Sequence, residues 1–287
     1  MSDVVRTDDL PPLPARPCDG HKGTFGHVLV LAGSALYPGA AILATHAAAR
    51  GGAGLVTLAY PRAMAPHVAA HLVCELARPL DDHDGALGTA AVEPALALAA
   101  ERSAVALGPG LTRGVQAEAF ARELALRVTA PSVIDADALN AFEGRAADLA
   151  GAAGPRVLTP HPGEAARLVG AAGSVAAEGR VHAALALAAA TGAVVALKGH
   201  GTVVTDGRRV RVNTTGNPGM ATGGTGDVLT GLVAALLAQG MEPFDAAVLG
   251  VHLHGLAGDL AAQRLGRHAL VATDLLDALP EAFRRHV

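Results

Sequence analysis

Short apolar runs alternate with Ala-rich stretches along most of this chain. The first apolar run, residues 27–31, has the length and β-branched content of a buried strand. Residues 40–50 are rich in Ala and predict a helix that ends at Gly51 and Gly52, and residues 55–59 predict the next strand. A strand, a helix and a strand in this order predict an α/β fold with a mostly parallel central sheet.

The same alternation continues towards the C-terminus. The pattern predicts further strands at residues 104–107, 132–134, 156–158, 193–197 and 203–205. It predicts an Ala-rich helix after residue 164 and helices at residues 94–101, 116–127 and 244–264. Asp206-Gly207 predicts a hairpin at one edge of the sheet.

Residues 1–20 differ from the rest of the chain. They contain Pro11, Pro12, Pro14 and Pro17, which predict an extended arm rather than a folded element. Residues 21–287 contain no internal repeat and no low-complexity linker, so we expect them to form a single domain.

Glycine-rich or polar turns follow the predicted strands. These turns are Gly33-Ser34 and residues 108–110, 135–140, 160–164 and 198–202. Because the carboxyl ends of parallel strands share one edge of a sheet, we expect the turns to lie together, at the edge where open α/β sheets bind ligands.

Composition and charge narrow the class of protein. Hydrophobic residues make up 51% of the 287 residues and aromatic residues 2%, without Trp, so the core must consist of Ala, Val and Leu. The net charge of −4 and the absence of a basic run argue against a nucleic-acid partner. No N-terminal signal core and no apolar segment of about 18 residues occurs, so we expect a cytoplasmic protein without a membrane partner. Cys18 and Cys74 lack the spacing of metal ligands and are interpreted as unpaired thiols.

The strongest candidate for chemistry is the segment that leads into the apolar residues 228–237. A glycine-rich loop before a helix exposes backbone N–H groups at the positive end of the helix dipole, where they bind phosphate or a developing oxyanion. The predicted anion loop consists of Gly223, Gly224, Thr225 and Gly226. Asp227 follows it and is the candidate general base, with helix capping as the alternative role.

A second candidate is the turn at residues 198–202. It supplies a cation, flexible backbone and a hydroxyl, which suit the phosphates and sugar of a nucleotide, although a surface hairpin explains it almost equally well. Its residues are Lys198, Gly199, His200, Gly201 and Thr202. Neither a Walker A pattern nor a G-x-G-x-x-G after the first strand is present, so the two commonest nucleotide-binding folds are not supported.

Carboxylates and histidines elsewhere leave alternatives open. Glu164, three residues after His161, could hold Mg²⁺ through water, or it could act as a first-turn helix residue. Asp135 and Asp137 could form a paired-carboxylate site or serve as turn and capping residues. Residues 254–259 are interpreted mainly as close helix packing.

The combination of Gly-Gly-Thr-Gly-Asp, Lys-Gly-x-x-Thr and Thr-Pro-His-Pro-Gly-Glu resembles the ribokinase-like superfamily, and more narrowly the NAD(P)H-hydrate dehydratase family. The resemblance runs from about residue 20 to the end of the chain. Further matching motifs lie at residues 22–26, 32–34, 39–41, 50–54, 135–140 and 254–255.

The resemblance implies a three-layer fold with helices on both faces of the sheet. It also implies a repair activity that dehydrates hydrated NADH or NADPH back to NADH or NADPH. The ring hydroxyl would be phosphorylated and phosphate eliminated, with Mg²⁺ as cofactor. ADP is the expected donor, because bacterial members of the family typically use ADP and eukaryotic members ATP.

Positions that match the family carry implied roles. Ala40, Gly110, His161 and Asp227 would contact the hydrated dinucleotide, and Asp227 would be the base. The nucleotide would contact Lys198, Gly199, His200, Gly201, Thr202 and Gly226. His161 stands where many kinases of the superfamily have Asn in an Asn-x-x-Glu pattern, which bears on the metal role of Glu164.

The resemblance further implies a homotetramer. Because only a short arm precedes the predicted domain, we expect the epimerase activity of many family members to reside in a separate protein. Two alternatives stay open: a small-molecule kinase of the superfamily, acting on a thiazole or hydroxymethylpyrimidine, and a non-catalytic nucleotide-binding sensor.

Overall fold

Alternating residues of each central strand point to opposite faces of one large sheet. The computed structural model describes residues 4–170 and 179–286. Its strands are β1 Val5–Arg6, β2 His27–Leu31, β3 Leu55–Pro61, β4 Leu76–Leu80, β5 Asp82–His83, β6 Ala86–Leu87, β7 Ala104–Leu107, β8 Ser132–Ile134, β9 Arg156–Leu158, β10 Val194–Leu197, β11 Val203–Thr205 and β12 Arg209–Val212. Its α-helices are α1 Pro38–Arg50, α2 Ala65–His71, α3 Val92–Ala99, α4 Val115–Arg127, α5 Ala136–Asn140, α6 Pro162–Leu168, α7 Arg180–Thr191, α8 Thr225–Ala238, α9 Pro243–Leu265 and α10 Ala272–His286.

The sheet is mostly parallel, as the strand and helix alternation predicts. The strand order is β1-β12-β11-β10-β9-β8-β7-β2-β3-β4, and every neighbouring pair from β10 to β4 is parallel. Strands β11 and β12 pair antiparallel around Asp206-Gly207, which confirms the predicted hairpin. Gly207 has a φ of 88°, a conformation that glycine adopts without steric cost.

Apolar residues cover both faces of the sheet. Val28 and Val30 pack into the core on one side, with α1, α8, α9 and α10. Leu29 and Leu31 pack into the core on the other side, with α3, α4 and α7. These two cores confirm the three-layer arrangement that the resemblance implies.

Small side chains let the helices on the first face approach closely. A Cβ atom on Gly231 of α8 would lie 1.9 Å from the carbonyl oxygen of Ala44 in α1. The Ala-rich composition therefore serves close contact between helices where larger residues would not fit.

The predicted element bounds differ from the observed ones at a few places. Helix α3 begins at Val92 rather than residue 94, and β3 extends to Pro61. The pattern missed α2 and β4, because most residues of β4 are exposed and it therefore lacks an apolar run. The predicted arm contains β1, which pairs with β12, and Arg211 donates hydrogen bonds to the carbonyl oxygens of Thr7 and Asp9. No helix within the described residues is long and apolar enough to cross a membrane.

Candidate functional site

The carboxyl end of β10 and the amino end of α8 meet at a cavity of about 400 Å³. The 198–202 turn and Gly226 line this cavity together, and the family resemblance implies that both contact the nucleotide. Further residues line the cavity, and the sequence analysis assigned none of them to a ligand site: Asn213, Thr215, Gly216, Asn217, Pro218, Met220, Ala221, Leu229, Val251, His254 and Gly255. The cavity thus combines an apolar part with amide and hydroxyl groups, as small-molecule sites commonly do.

Helix α8 begins without a side-chain cap. Its N-cap residue is Gly224, whose φ is 90°, and among the described residues no side chain caps this end of the helix. Of the three loop glycines, Gly224 has a positive φ, whereas Gly223 and Gly226 do not. Thr225 donates hydrogen bonds from Oγ1 to the carbonyl oxygens of Met220 (3.0 Å) and Thr222 (3.1 Å), which folds the loop back on itself. The uncapped first turn therefore retains the features of an anion site.

Asp227 is the third residue of α8 and does not cap the helix, so the capping alternative is wrong. Burial raises the pKa of its carboxyl to about 7, and the negative charges of Asp135, Asp137 and Glu164 act in the same direction, against the opposing effect of Lys198. A carboxylate with such a pKa can take a proton near neutral pH, as a general base must.

Lys198 is held in a buried network of charges. Its Nζ lies 2.7 Å from Oδ1 of Asp135 and 3.8 Å from Oε2 of Glu164. Thr230 of α8 donates a hydrogen bond of 2.6 Å to the other oxygen of Asp135, whose residue is 1% exposed. Burial disfavours the charge on Lys198, but the two carboxylates outweigh burial and raise its pKa. Lys198 therefore stays cationic at the wall of the cavity.

Asp135 and Asp137 bind different groups. Asp137 accepts hydrogen bonds from the backbone N–H of Thr112 (2.8 Å) and from Nδ2 of Asn140 (3.3 Å), whereas Asp135 binds Lys198 and Thr230. Asp135 is the N-cap residue of α5, but its side chain does not cap that helix.

His161 and Glu164 form a reciprocal cap on α6. Nδ1 of His161 accepts from the backbone N–H groups of Gly163 (3.0 Å) and Glu164 (3.3 Å), and Glu164 accepts from the N–H of His161 (2.7 Å). Burial lowers the pKa of His161 and raises that of Glu164 to about 7. The first-turn role of Glu164 is confirmed. Its role towards Mg²⁺ stays a prediction, since the described residues contain no group of three or more metal ligands.

Ala40 and Gly110 meet at a separate place, outside the lining of the cavity. Gly110 has a φ of 64°, and a Cβ atom there would lie 2.8 Å from the carbonyl oxygen of Tyr37 and 3.0 Å from Cβ of Ala40. Both residues lie at the sheet edge that also carries the 198–202 turn, where β7 ends and α1 begins. Their role in substrate binding, like that of His161, stays a prediction.

Side chains of helix α9 form hydrogen bonds with residues that line the cavity. Nε2 of His254 donates a hydrogen bond of 2.8 Å to the carbonyl oxygen of Thr225, and burial lowers the pKa of His254 to about 4, so the ring is neutral. Asp259 accepts from the backbone N–H of Gly216 (2.8 Å) and from Nδ2 of Asn217 (2.9 Å).

The expectation of close packing in residues 254–259 is also confirmed. A Cβ atom on Gly255 would lie 2.3 Å from Oγ1 of Thr215, and one on Gly258 would lie 2.2 Å from Sδ of Met220. The anchoring roles of His254 and Asp259 were missed. Two polar residues within an apolar helix are the pattern that could have indicated them.

The chain is similar to known proteins over most of its length. The family model described as NAD(P)H-hydrate dehydratase matches residues 28–281. A bifunctional NAD(P)H-hydrate repair enzyme of Moorella thermoacetica is 47% identical over 275 residues, which are 95% of this chain and 52% of that protein. The chain thus spans about half the length of the curated relatives it matches.

Solved structures show the same relationship. The ADP/ATP-dependent NAD(P)H-hydrate dehydratase of Bacillus subtilis, co-crystallised with ATP and Mg²⁺, superimposes with a TM-score of 0.79 at 31% identity, over 96% of this chain and 95% of that one. A hydroxyethylthiazole kinase of Pyrococcus horikoshii, at 18% identity and a TM-score of 0.57, shares the fold. The match of one family model to nearly the whole chain, together with these relatives, shows that the chain belongs to the NAD(P)H-hydrate dehydratase family.

Proposed function

We propose that this chain dehydrates hydrated NADH or NADPH to NADH or NADPH at the expense of ADP or ATP. One observation carries the proposal: Asp227, with a pKa raised to about 7, lies in the uncapped first turn of α8, and the preceding residue of that turn lines the cavity. A proton acceptor, an anion site and a nucleotide-sized cavity are therefore adjacent in a chain of the dehydratase family.

The cavity suits the nucleotide. Lys198 supplies a fixed positive charge, and the backbone N–H groups at the start of α8 face the place where a phosphoryl group would develop charge. The apolar wall of the cavity, which would contact the nucleobase, consists of Met220, Leu229 and Val251. The co-crystallisation of the Bacillus subtilis relative with ATP and Mg²⁺ supports a nucleotide in this role.

Asp227 would take the proton from the ring hydroxyl as the hydroxyl oxygen attacks the terminal phosphorus of the nucleotide. The oxygen–phosphorus bond of the donor breaks, and its electron pair leaves with the shortened nucleotide. The bond between the ring carbon and the phosphorylated oxygen then breaks, phosphate leaves with that electron pair, and loss of a proton from the neighbouring ring carbon restores the double bond. Since the first turn of α8 stabilises negative charge, it serves both the transferred phosphoryl group and the departing phosphate.

Glu164 suits a divalent cation through water. Carboxylate oxygens are the ligands that Mg²⁺ prefers, and Mg²⁺ commonly binds through one or two carboxylates together with substrate phosphates. Because Oε2 of Glu164 already accepts the N–H of His161, a direct bond from this oxygen would break the cap on α6. When bound, Mg²⁺ would neutralise charge on the phosphates.

The experiment is an assay of hydrated NADH with ADP or ATP, followed at the absorbance of reduced nicotinamide. Recovery of absorbance that depends on nucleotide supports the proposal, and Asp227→Asn should slow it by about 10²–10⁴ without preventing nucleotide binding. No recovery with either nucleotide would overturn the proposal. Phosphorylation of a thiazole or hydroxymethylpyrimidine would then support the kinase, and binding without turnover would support the sensor.

Further parts of the proposal come from the family resemblance. ADP is the donor to test first, and the proposed homotetramer can be tested by light scattering. The proposed location is the cytoplasm. A separate epimerase is proposed as the functional partner. The relatives of which this chain spans about half the length are, however, named bifunctional.

A further inference from the structure

Arg180 lies directly behind the turn that would bind the nucleotide. It is the first residue of α7 and is 8% exposed. Its Nη2 donates a hydrogen bond of 2.9 Å to the carbonyl oxygen of Leu197, and its Nη1 donates to the carbonyl oxygen of His200. One guanidinium group therefore holds two carbonyl groups of the chain segment that forms the 198–202 turn.

These two hydrogen bonds fix the orientation of the peptide groups that follow Leu197 and His200. The described residues contain no cis peptide bond, and in a trans peptide the C=O and N–H groups point in opposite directions. With the carbonyl of His200 turned towards Arg180, the N–H of Gly201 points away from Arg180. Gly201 lines the cavity, and no described residue accepts a hydrogen bond from its N–H. A ligand in the cavity could supply the acceptor that this N–H lacks among the described residues.

Two further contacts fix the conformation of the turn. The N–H of Lys198 donates to the carbonyl oxygen of Pro160 (2.8 Å), so the peptide between Leu197 and Lys198 is held from both sides. Gly199 has a φ of 140°, and a Cβ atom there would lie 2.8 Å from Nη2 of Arg180. The guanidinium group thus occupies space that a side chain at Gly199 would need.

We propose that Arg180 is the positioning residue of the nucleotide site: by holding the carbonyl groups of Leu197 and His200, it presents the N–H of Gly201 to an acceptor oxygen of the nucleotide. This inference rests on the proposed function, because it takes a nucleotide as the ligand of the cavity. Arg180 itself does not line the cavity. Its planar group with several fixed donors suits this bridging role, which a lysine cannot perform.

The test is Arg180→Lys, which keeps the positive charge but loses the bridge between the two carbonyl groups. We expect the dissociation constant for ADP, measured by calorimetry, to rise about tenfold, equivalent to about 1.4 kcal/mol. The KM for the nucleotide should rise similarly, while kcat at saturating nucleotide and the KM for hydrated NADH stay within about twofold. An equal loss of affinity for ADP and for adenosine would assign the acceptor oxygen to the ribose. A loss of affinity for ADP alone would assign it to a phosphate.

Arg156→Lys is the matched control. Arg156 is also buried and also holds backbone carbonyl groups, among them those of Ala125 (2.7 Å) and Pro155 (3.0 Å), but it lies at the amino end of β9, at the opposite edge of the sheet. We expect this variant to lower Tm and to leave the affinity for ADP unchanged. An equal loss of ADP affinity in both variants would reduce Arg180 to a general structural role and overturn the inference.

A second measurement does not depend on the folding of a variant. In the wild-type protein, the amide resonance of Gly201 should shift on addition of ADP, and an unshifted resonance would overturn the inference. If the wild-type protein does not bind ADP or ATP, the proposed function itself fails. If it binds ADP and Arg180→Lys binds equally well, a nucleotide remains the ligand of the protein and the role of Arg180 is refuted.

Discussion

Nζ of Lys198 lies 2.7 Å from Oδ1 of Asp135, although 63 residues separate them in the sequence. Asp135 follows β8 and Lys198 follows β10, so the pair spans β9 at the carboxyl edge of the sheet. Thr230 donates to the same aspartate from α8. This buried pair therefore joins the sheet edge to the helix that carries Asp227, and changes at either residue should affect both stability and the site.

Removing one charge of this pair should be costly. Asp135→Asn leaves Lys198 buried without its closest partner, and Lys198→Met does the same to Asp135, so we expect each to lower the free energy of unfolding by about 3–5 kcal/mol. In the double variant neither member of this pair is left without the other, so the loss should be clearly less than the sum of the two, although Glu164 still loses a cationic neighbour. Both variants that lack Lys198 should bind ADP more weakly. Urea unfolding and calorimetry measure these quantities.

An exposed ion pair provides the control for this cycle. The side chains of Arg62 and Asp81 are 62% and 81% exposed. Because water screens such a pair, Asp81→Asn should change the free energy of unfolding by less than about 1 kcal/mol. Additive losses in the Asp135 and Lys198 double variant would contradict the coupling inferred from the structure.

The pH dependence of the reaction should report the carboxyl of Asp227. Burial and neighbouring carboxylates raise its pKa to about 7, and the base must be ionised to act. We expect kcat/KM for hydrated NADH to rise with pH through a value near 7. In Glu164→Gln this rise should move to lower pH, because one of the negative charges that raise the pKa is removed. A flat profile between pH 5 and 8 would argue against Asp227 as the base.

Asp227 should also reduce stability when it is ionised. Its pKa rises from 3.8 to about 7 on folding, so the folded state favours the protonated carboxyl and the free energy of unfolding falls as pH rises between these values. Asp227→Asn carries no such charge and should be more stable than the wild type at pH 8 by about 2–4 kcal/mol. The difference should shrink towards zero near pH 4. Denaturant unfolding at both pH values tests this, and a less stable variant at pH 8 would contradict it.

Gly255→Ala should disturb the cavity through packing. The added Cβ would lie 2.3 Å from Oγ1 and 2.7 Å from the carbonyl carbon of Thr215, so either Thr215 or α9 must move. We expect a loss of about 1–3 kcal/mol in the free energy of unfolding, together with weaker ADP binding. Gly151→Ala is the control, because no atom lies within 4 Å of its added Cβ. Normal ADP affinity in Gly255→Ala would show that Thr215 does not shape the site.

The sequence by itself determined the apolar central strands and the edge of the sheet that carries the site. The predicted strands have the observed bounds at residues 104–107, 132–134, 156–158 and 203–205. A short apolar run between polar turns is typical of a strand that is buried on both faces of a parallel sheet. The 198–202 turn and Gly226 were assigned together and do line one cavity. The family, too, could be recognised from short motifs around these turns.

The partners of the buried polar groups were decided by the tertiary structure alone. Periodicity indicates which face of an element is buried, but not which distant residue lies opposite. Whether Asp227 caps α8 depended on where the helix begins, because only a start three residues later would make Asp227 the N-cap residue. The bonds from Arg180, His254 and Asp259 join segments distant in sequence, so only the packed chain brings these side chains to the backbone groups they hold.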